Sequence, residues 1–377
     1  MLAERVAAGE LPPVEERLPE RADIQVVQPR DTIGQYGGEL RYNATNPSTF
    51  GNIGWSAWDQ HLAGLSTNWE VIFPNIARSI DMSDDNTVAT ITLRRGMKWS
   101  DGVPVTADDI MFWYENVMLH PELPNLPGTF VVAGTPAVIA KVDDYTVTFT
   151  FAASYPAFME IVARGDTGFP IAPRHYLEQW HADFNTEAQA LAESEGFATW
   201  IEAFESHRGG QLADFQVDPN LPVLKPWVLV NIDEFGNSFY ERNPYYWKVD
   251  TEGNQLPYLD GQIRMLIGDL EVVKLNIQAG DLDYADKLRI SDLPVLAFFW
   301  SPDGSKLAYL ALEAVNRRVG MRWHVWDGES TRSYAAFFPS RVLLRDYLPF
   351  FDQYAQSHRL WAPDSSAFVF AGTLANG

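Results

Sequence analysis

The sequence predicts an α/β chain with mixed (α+β) sheets that gives way to an all-β tail, and three patterns carry this prediction. Period-two runs such as Val88–Leu93 and Tyr145–Phe151 mark strands with one covered face. Helix-period runs are interleaved with them: Ile110, Trp113, Tyr114 and Val117 follow a capped start and end at His120-Pro121. Past Pro294 the helical spacing stops, and a Trp-x-Pro-Asp turn occurs twice, at Trp300 and Trp361.

Residues 1–33 are rich in Pro, Glu and Arg, carry a short helical pattern at Leu2–Ala8, and read as a surface lead-in. Tyr36–Tyr42 is a first short strand entered over Gly37 and Gly38. The polar, aromatic stretch after it, NATNPSTFGNIGWSAW (43–58), is a loop, and loops carry function more often than core elements do. Asp84-Asp85-Asn86 turns the chain into Val88–Leu93, with Ala89, Ile91 and Leu93 on one face and Thr90 and Thr92 on the other. Val138–Val142 and Tyr145–Phe151 make a hairpin about Asp143-Asp144. In its second strand Tyr145, Val147, Phe149 and Phe151 alternate with threonines, the pattern of an antiparallel sheet edge with one wet face. Residues 186–207 are helical with a break at Gly196, and Trp227–Ile232 with Ser238–Arg242 is strand, turn, strand. Tyr245, Tyr246 and Trp247 read as a core plug, and Glu271–Ala279 as a helix stopped by Gly280. His175 and His181 are six apart with no third ligand nearby, so they read as helix-surface histidines and not as a zinc pair.

Leu93–Glu115, LRRGMKWSDGVPVTADDIMFWYE, is the most specific stretch. Gly96 and Ser100-Asp101-Gly102 are turn chemistry, and Thr106-Ala107-Asp108-Asp109 fits a capping box whose carboxylates suit the helix N-terminus. This segment resembles the signature of the family-5 extracellular solute-binding proteins, which serve peptide, nickel and related ABC importers. Gly-Gly-x-Leu at 37–40, Ser154–Tyr176, RNPYYWK (242–248) with LPYLD (256–260), and Gly280–Tyr284 extend the resemblance to about residue 293. It implies the first lobe of a two-lobed periplasmic-binding-protein type II fold. Lobe I would occupy 34–270 with an inserted subdomain at roughly 60–165, and 271–294 would begin a truncated lobe II. In the family the loop after the first strand approaches the cleft. Asn43, Asn46, Trp55 and Trp58 are therefore the candidate ligand neighbours, while Trp55 and Trp58 beside glycines also suit packing anchors.

The net charge of −22 repels phosphate backbones and argues against nucleic acid as a partner. The absence of cysteine excludes disulfides, thiolate catalysis and cysteine-bound zinc. No apolar window approaches 18 residues. MLAERVAAGELPPVEERLPE lacks the apolar core of a signal peptide, so no export signal is expected in this chain. The resemblance implies a periplasmic or extracellular protein whose Met1 is not its natural start or which is shown in mature form. A cytoplasmic protein is the alternative.

FWSPDGSKLAY (299–309) and LWAPDSSAFVF (360–370) resemble blades of a Tol-system/WD-like β-propeller, so 295–377 is expected to be a propeller-like fragment of partial blades. A natural fusion, a rearrangement or an assembly artefact would place it after Pro294, and a divergent second lobe is the other reading. The sequence lacks a P-loop, a dinucleotide fingerprint, a zincin motif and a nucleophile elbow, and its paired aspartates sit in turns and caps. No enzyme, catalytic residue, metal or cofactor is expected. The implied function is the non-catalytic substrate-binding component of an ABC importer. It would take an oligopeptide or other small solute and dock on ABC permease subunits in the membrane. The alternative is an interaction scaffold that uses the propeller blades without binding solute.

Overall fold

A computed structural model describes residues 1–29, 32–46, 60–66, 70–123, 128–164, 170–208, 218–285, 295–315, 318–338, 360–368 and 373–374. The main strands in chain order are β1 (Glu39–Ala44), β2 (Ala77–Met82), β3 (Val88–Leu93), β4 (Val138–Asp143), β5 (Thr146–Thr150), β6 (Trp227–Ile232), β7 (Ser238–Arg242) and β8 (Gly261–Leu266). They are followed by β9 (Val295–Trp300), β10 (Leu307–Val315), β11 (Arg318–Trp326), β12 (Thr331–Ser333), β13 (Phe337–Phe338) and β14 (Thr373–Leu374). The main helices are α1 (Ala107–Phe112), α2 (Phe158–Arg164), α3 (Arg174–Leu177), α4 (Ala188–Ser194), α5 (Trp200–His207) and α6 (Leu270–Ala279). Contacts divide the chain into two compact units. One is Met1–Val273 with Gly280–Asp286, the other Lys274–Ala279 with Lys287–Gly377.

In the first unit a four-stranded antiparallel sheet has the order β2-β3-β5-β4. Val147 pairs with Ile91 and Phe149 with Ala89, so the apolar members of both alternating runs share one face, and all four are fully buried. The faces are as expected, but β5 lies between β3 and β4 and is not an edge. Alternation reports which face is covered and says nothing of which strands flank the run.

The corner after β3 folds as its residues dictate. Thr106 Oγ1 accepts from the Asp108 amide at 3.3 Å, and the Thr106 amide donates to Asp109 Oδ2 at 3.0 Å, closing the capping box of α1. Gly102 takes φ +94°, and a Cβ there would lie 2.8 Å from Tyr245 Cζ and Oη, so only glycine fits. α1 continues into a π-helical turn at Trp113–Met118, which the 3.6-residue spacing did not foretell. Trp99, Ile110, Phe112, Tyr246 and Trp247 join one core that runs from Leu62 to Trp247.

The second sheet of this unit, β6-β7-β8-β1, is antiparallel except for its last pair, in which β8 and β1 run parallel. Parallel neighbours need a long crossover. Here the crossover is the whole chain between residues 44 and 261, including the first sheet.

In the second unit the described strands form an antiparallel sheet in the order β9-β10-β11-β13-β14, with β12 also on β11. Ala297, Phe299, Leu310, Met321, Trp323, Phe337 and Trp361 make its core. The sheet is open, and among the described residues no closed ring of blades is present. The two Trp-x-Pro-Asp segments meet within it: Trp361 Nε1 donates to the Phe299 carbonyl at 2.9 Å and the Asp303 amide to Ser365 Oγ at 3.2 Å.

Candidate functional site

The parallel pair β1 and β8 places the predicted site. Register sets Tyr42 beside Arg264, Asn43 beside Met265 and Ala44 beside Leu266. With a period of two, Tyr42 shares a face with Gln262, Arg264 and Tyr240, while Asn43 lies on the opposite face. Both faces are covered there, since Tyr42, Asn43 and Ala44 are all at 0% exposure. The Ile267 amide donates to the Ala44 carbonyl at 2.9 Å, so the carboxyl ends of the two strands emerge together. Two residues past β1, Asn46 is exposed at this end of the sheet. Ligands of α/β sheets gather at such strand ends.

The four predicted ligand neighbours thus divide. Asn43 is wholly buried in β1, and Asn46 is exposed at the strand end. Trp55 and Trp58 lie outside the described residues.

Sequence reasoning missed two features of this region. The first is the buried polar layer on the Tyr42 face. Gln262 and Arg264 alternate with Ile263 and Met265, which reads as a strand with one wet face. The sheet instead holds Gln262 at 2% and Arg264 at 6% exposure. Burial pushes the Tyr240 hydroxyl up to about 12 and that of Tyr42 further, so both phenols are neutral donors at physiological pH. The second is a clamp beside β1. The Arg41 guanidinium grips Asp283 through both arms, Nε to Oδ2 at 3.1 Å and Nη2 to Oδ1 at 2.9 Å, and its backbone amide adds a third bond at 2.8 Å. These hydrogen bonds hold the Asp283 carboxyl below the usual carboxylate range. Tyr284 then bridges to Tyr42, so Gly280–Tyr284 is tied to β1. An Arg in one strand and an Asp 242 residues later leave no local spacing to read.

Three other groupings bear on chemistry. His120, His181 and Asp183 bring potential ligand atoms within 4.8 Å of one another. His181 Nδ1 accepts the Asp183 amide at 3.2 Å and Nε2 donates to the Asn116 carbonyl at 2.9 Å. Both its nitrogens are engaged, so only His120 Nε2 and the Asp183 carboxylate remain, fewer than the three protein ligands of a catalytic zinc site. His181 is also fully buried, against Phe112, Phe184, Trp200 and Phe204, which corrects its reading as a surface histidine; His175 is exposed and pairs with Asp101 at 2.8 Å. Aromatic residues from α1, α5 and the turn at Phe184 collect there, and no single run encodes them.

His207, at the end of α5, lies between Glu195 (Nε2, 2.7 Å) and Asp218 (Nδ1, 2.5 Å) and stacks on Trp180 at 3.7 Å. A carboxylate only accepts, so both ring nitrogens carry protons and the ring is an imidazolium with no lone pair for base catalysis. Burial opposes that charge, but the hydrogen bonds to Asp218 and Glu195 outweigh it and raise the pKa. Finally, a cavity walled by Trp99, Trp113, Leu177, Leu221 and Val223 encloses about 40 Å³. That is space for water, far below the several hundred Å³ of a ligand pocket.

Residues 71–297 match the model for bacterial extracellular solute-binding proteins, family 5 middle, which is more than half of the chain. The chain belongs to this family. The periplasmic alpha-galactoside-binding protein of Rhizobium meliloti (strain 1021) is 33% identical over 273 residues, 68% of this chain and 37% of that protein. Among solved structures, the oligopeptide-binding protein OppA is 36% identical with a TM-score of 0.67, over 75% of this chain and 43% of that one. The periplasmic binding protein MelB of Agrobacterium fabrum C58, solved with stachyose, is 26% identical with a TM-score of 0.57, over 82% and 46%. The chain spans less than half the length of each of these relatives.

Proposed function

We propose that this chain is the first lobe of the non-catalytic substrate-binding component of an ABC importer. It takes an oligopeptide or another small solute such as an α-galactoside on the periplasmic or extracellular side and passes it to permease subunits in the membrane. The match across residues 71–297 carries this reading. The paired ends of β1 and β8 support it, because they offer an exposed carboxamide, Asn46, where the loop bearing Trp55 and Trp58 departs. Asn, Trp and backbone groups suit both solute classes: carboxamides bond peptide amides and sugar hydroxyls alike, and tryptophan packs on either. Type II lobes close over solute by a hinge, so closure onto the other lobe supplies the remaining contacts.

Calorimetric titration of the chain with a tri- to pentapeptide mixture and, separately, with raffinose and stachyose tests this. Saturable heat from one class, weakened by Asn46→Ala or Trp58→Ala, is the expected result. Heat from neither class, with a membrane-protein partner captured through residues 295–377, would favour the second reading, an interaction scaffold with propeller-type blades. The antiparallel β9-β10-β11 meander and its two joined Trp-x-Pro-Asp turns support that reading.

A further inference from the structure

The turn between β6 and β7 carries an apolar ring that its own construction does not need. Asp233 Oδ1 accepts the amides of Phe235 at 2.9 Å and Asn237 at 2.8 Å, and its Oδ2 accepts Asn237 Nδ2 at 2.9 Å. Gly236 takes φ +83°, and its amide donates to the Asp233 carbonyl at 3.0 Å. The same turn is built a second time at 250–254. There Asp250 Oδ1 accepts the amides of Glu252 at 2.8 Å and Asn254 at 2.9 Å, Oδ2 accepts Asn254 Nδ2 at 2.8 Å, and Gly253 takes φ +87°. The third position of one turn is Glu252 and of the other Phe235, so the backbone geometry does not call for a ring. Phe235 is nonetheless 72% exposed, the most of any large apolar side chain among the described residues, and Val230 and Ile232 of the same hairpin are exposed as well. A single apolar residue in water is ordinary, but three on one hairpin, at a turn that folds equally with a carboxylate, point to a partner.

Contacts fix this turn to the carboxyl ends of β8 and β1. The Leu266 amide donates to Asn237 Oδ1 at 2.9 Å, and a Cβ on Gly236 would stand 2.7 Å from Leu266 Cδ2. Leu266 pairs with Ala44, and a Cβ on Gly268 would stand 3.5 Å from the Thr45 carbonyl oxygen. Turn, β8 end and β1 end therefore follow one another in contact, with exposed Asn46 next after Thr45. The turn and Asn46 stand two to three strand spacings apart, roughly 10–15 Å. Glu234 and Asp269 are exposed at this end, while the guanidinium of Arg41 is committed to Asp283.

We infer that Phe235 is a stacking platform for a sugar ring and that the solute taken at these strand ends is a neutral oligosaccharide. The inference rests on the solute-binding reading above and narrows its solute. The face of the phenyl ring is electron-rich and receives the C–H groups of a pyranose. The hydroxyls of the sugar then reach carboxamide and carboxylate acceptors such as Asn46 and Glu234. A zwitterionic peptide would gain at its amine but lose at its carboxylate, which meets the exposed acids with Arg41 already spent. A neutral sugar uses the same acids as hydrogen-bond acceptors and brings no like charge. The hydrogen bonds of the turn fix the backbone under the ring before binding, so little conformational freedom is lost when it stacks.

The test is calorimetric titration of the full chain and its Phe235→Ala and Phe235→Trp variants with raffinose, with stachyose and with a tripeptide mixture. Sugar binding that falls roughly 10- to 100-fold in Phe235→Ala and returns in Phe235→Trp is expected. Should Phe235→Ala unfold, the parent labelled with ring-13C phenylalanine, its Phe235 resonance assigned through Phe235→Tyr, reads the same contact as a shift of that resonance on adding stachyose. Unchanged sugar affinity in folded Phe235→Ala, with Asn46→Ala still weakening it, overturns the platform and leaves the importer reading standing. Heat from peptides alone overturns the sugar assignment. Heat from neither class in the parent overturns the importer reading and this inference with it.

Discussion

Asp109 sits where the capping box meets the core, and its replacement separates two opposing effects. At 5% exposure it accepts three N–H groups: the Thr106 amide (3.0 Å) and Trp99 Nε1 (3.3 Å) on Oδ2, and the Arg174 amide (3.2 Å) on Oδ1. Burial still pushes its carboxyl up to about 6 against the pull of those donors. A rise from 3.8 to about 6 means the ionised side chain costs about 3 kcal/mol at pH 7. Asp109→Ala removes that cost but strands three donors at about 1–3 kcal/mol each, together about 3–9 kcal/mol, so a net loss of up to about 6 kcal/mol, centred near 3, is expected. Asp109→Asn keeps an acceptor for Thr106 and Trp99, strands only the Arg174 amide, and has no charge to bury. At pH 7 it should lie within about 1–2 kcal/mol of the parent.

The pH dependence follows with its sign. The native state holds the Asp109 proton in a window where the unfolded state has released it. Asp109 therefore makes stability fall as pH rises from about 4 to about 6, by about 3 kcal/mol in all, and level off above. Urea unfolding at pH 4.5 and 7, read by tryptophan fluorescence, measures both effects, and Asp109→Asn should lose this slope. If Asp109→Asn is as damaging as Asp109→Ala at pH 7, the ionised carboxylate is a net stabiliser and the reasoning fails.

His207 gives a slope in a higher window. Its folded pKa is raised, so its contribution is complete below about 6.5 and fades as pH rises through the folded value; His207→Gln should abolish that loss as pH rises above 6.5. The partner Asp218, which also accepts from Tyr176, has its carboxyl lowered by these hydrogen bonds although burial opposes them, and its contribution disappears only in acid, below about 3.8. Gly102→Ala forces a side chain into φ +94° and against Tyr245, and thermal unfolding should show a loss of about 2–4 kcal/mol; an unchanged midpoint would mean that the corner yields. Trp361→Phe keeps the ring but loses the bond to the Phe299 carbonyl, so hydrogen exchange should speed up around β9 by a factor of about 2–12, equivalent to about 0.5–1.5 kcal/mol, with no change near Trp99.

Much of the first unit follows from local pattern alone. The capping box at Thr106–Asp109, the turn at Gly102, the apolar faces of Val88–Leu93 and Thr146–Thr150 and the helix break at Gly196 all appear as the residues specify. These features depend on neighbours within about four positions, where spacing and backbone freedom decide the outcome. The same signature also carried the family.

Tertiary structure decided what covers each face and which distant groups meet. Gln262 and Arg264 keep the alternation of a wet strand yet are buried, on the face they share with the equally buried Tyr42 and Tyr240. His181 gives no sign in its own segment that aromatic residues from α1 and α5 will pack against it. Arg41 finds Asp283, and Gln25 comes to lie opposite Lys248, across more than 200 residues. Sequence periodicity encodes a direction for each side chain, but the partner waiting in that direction is set only when the chain has packed.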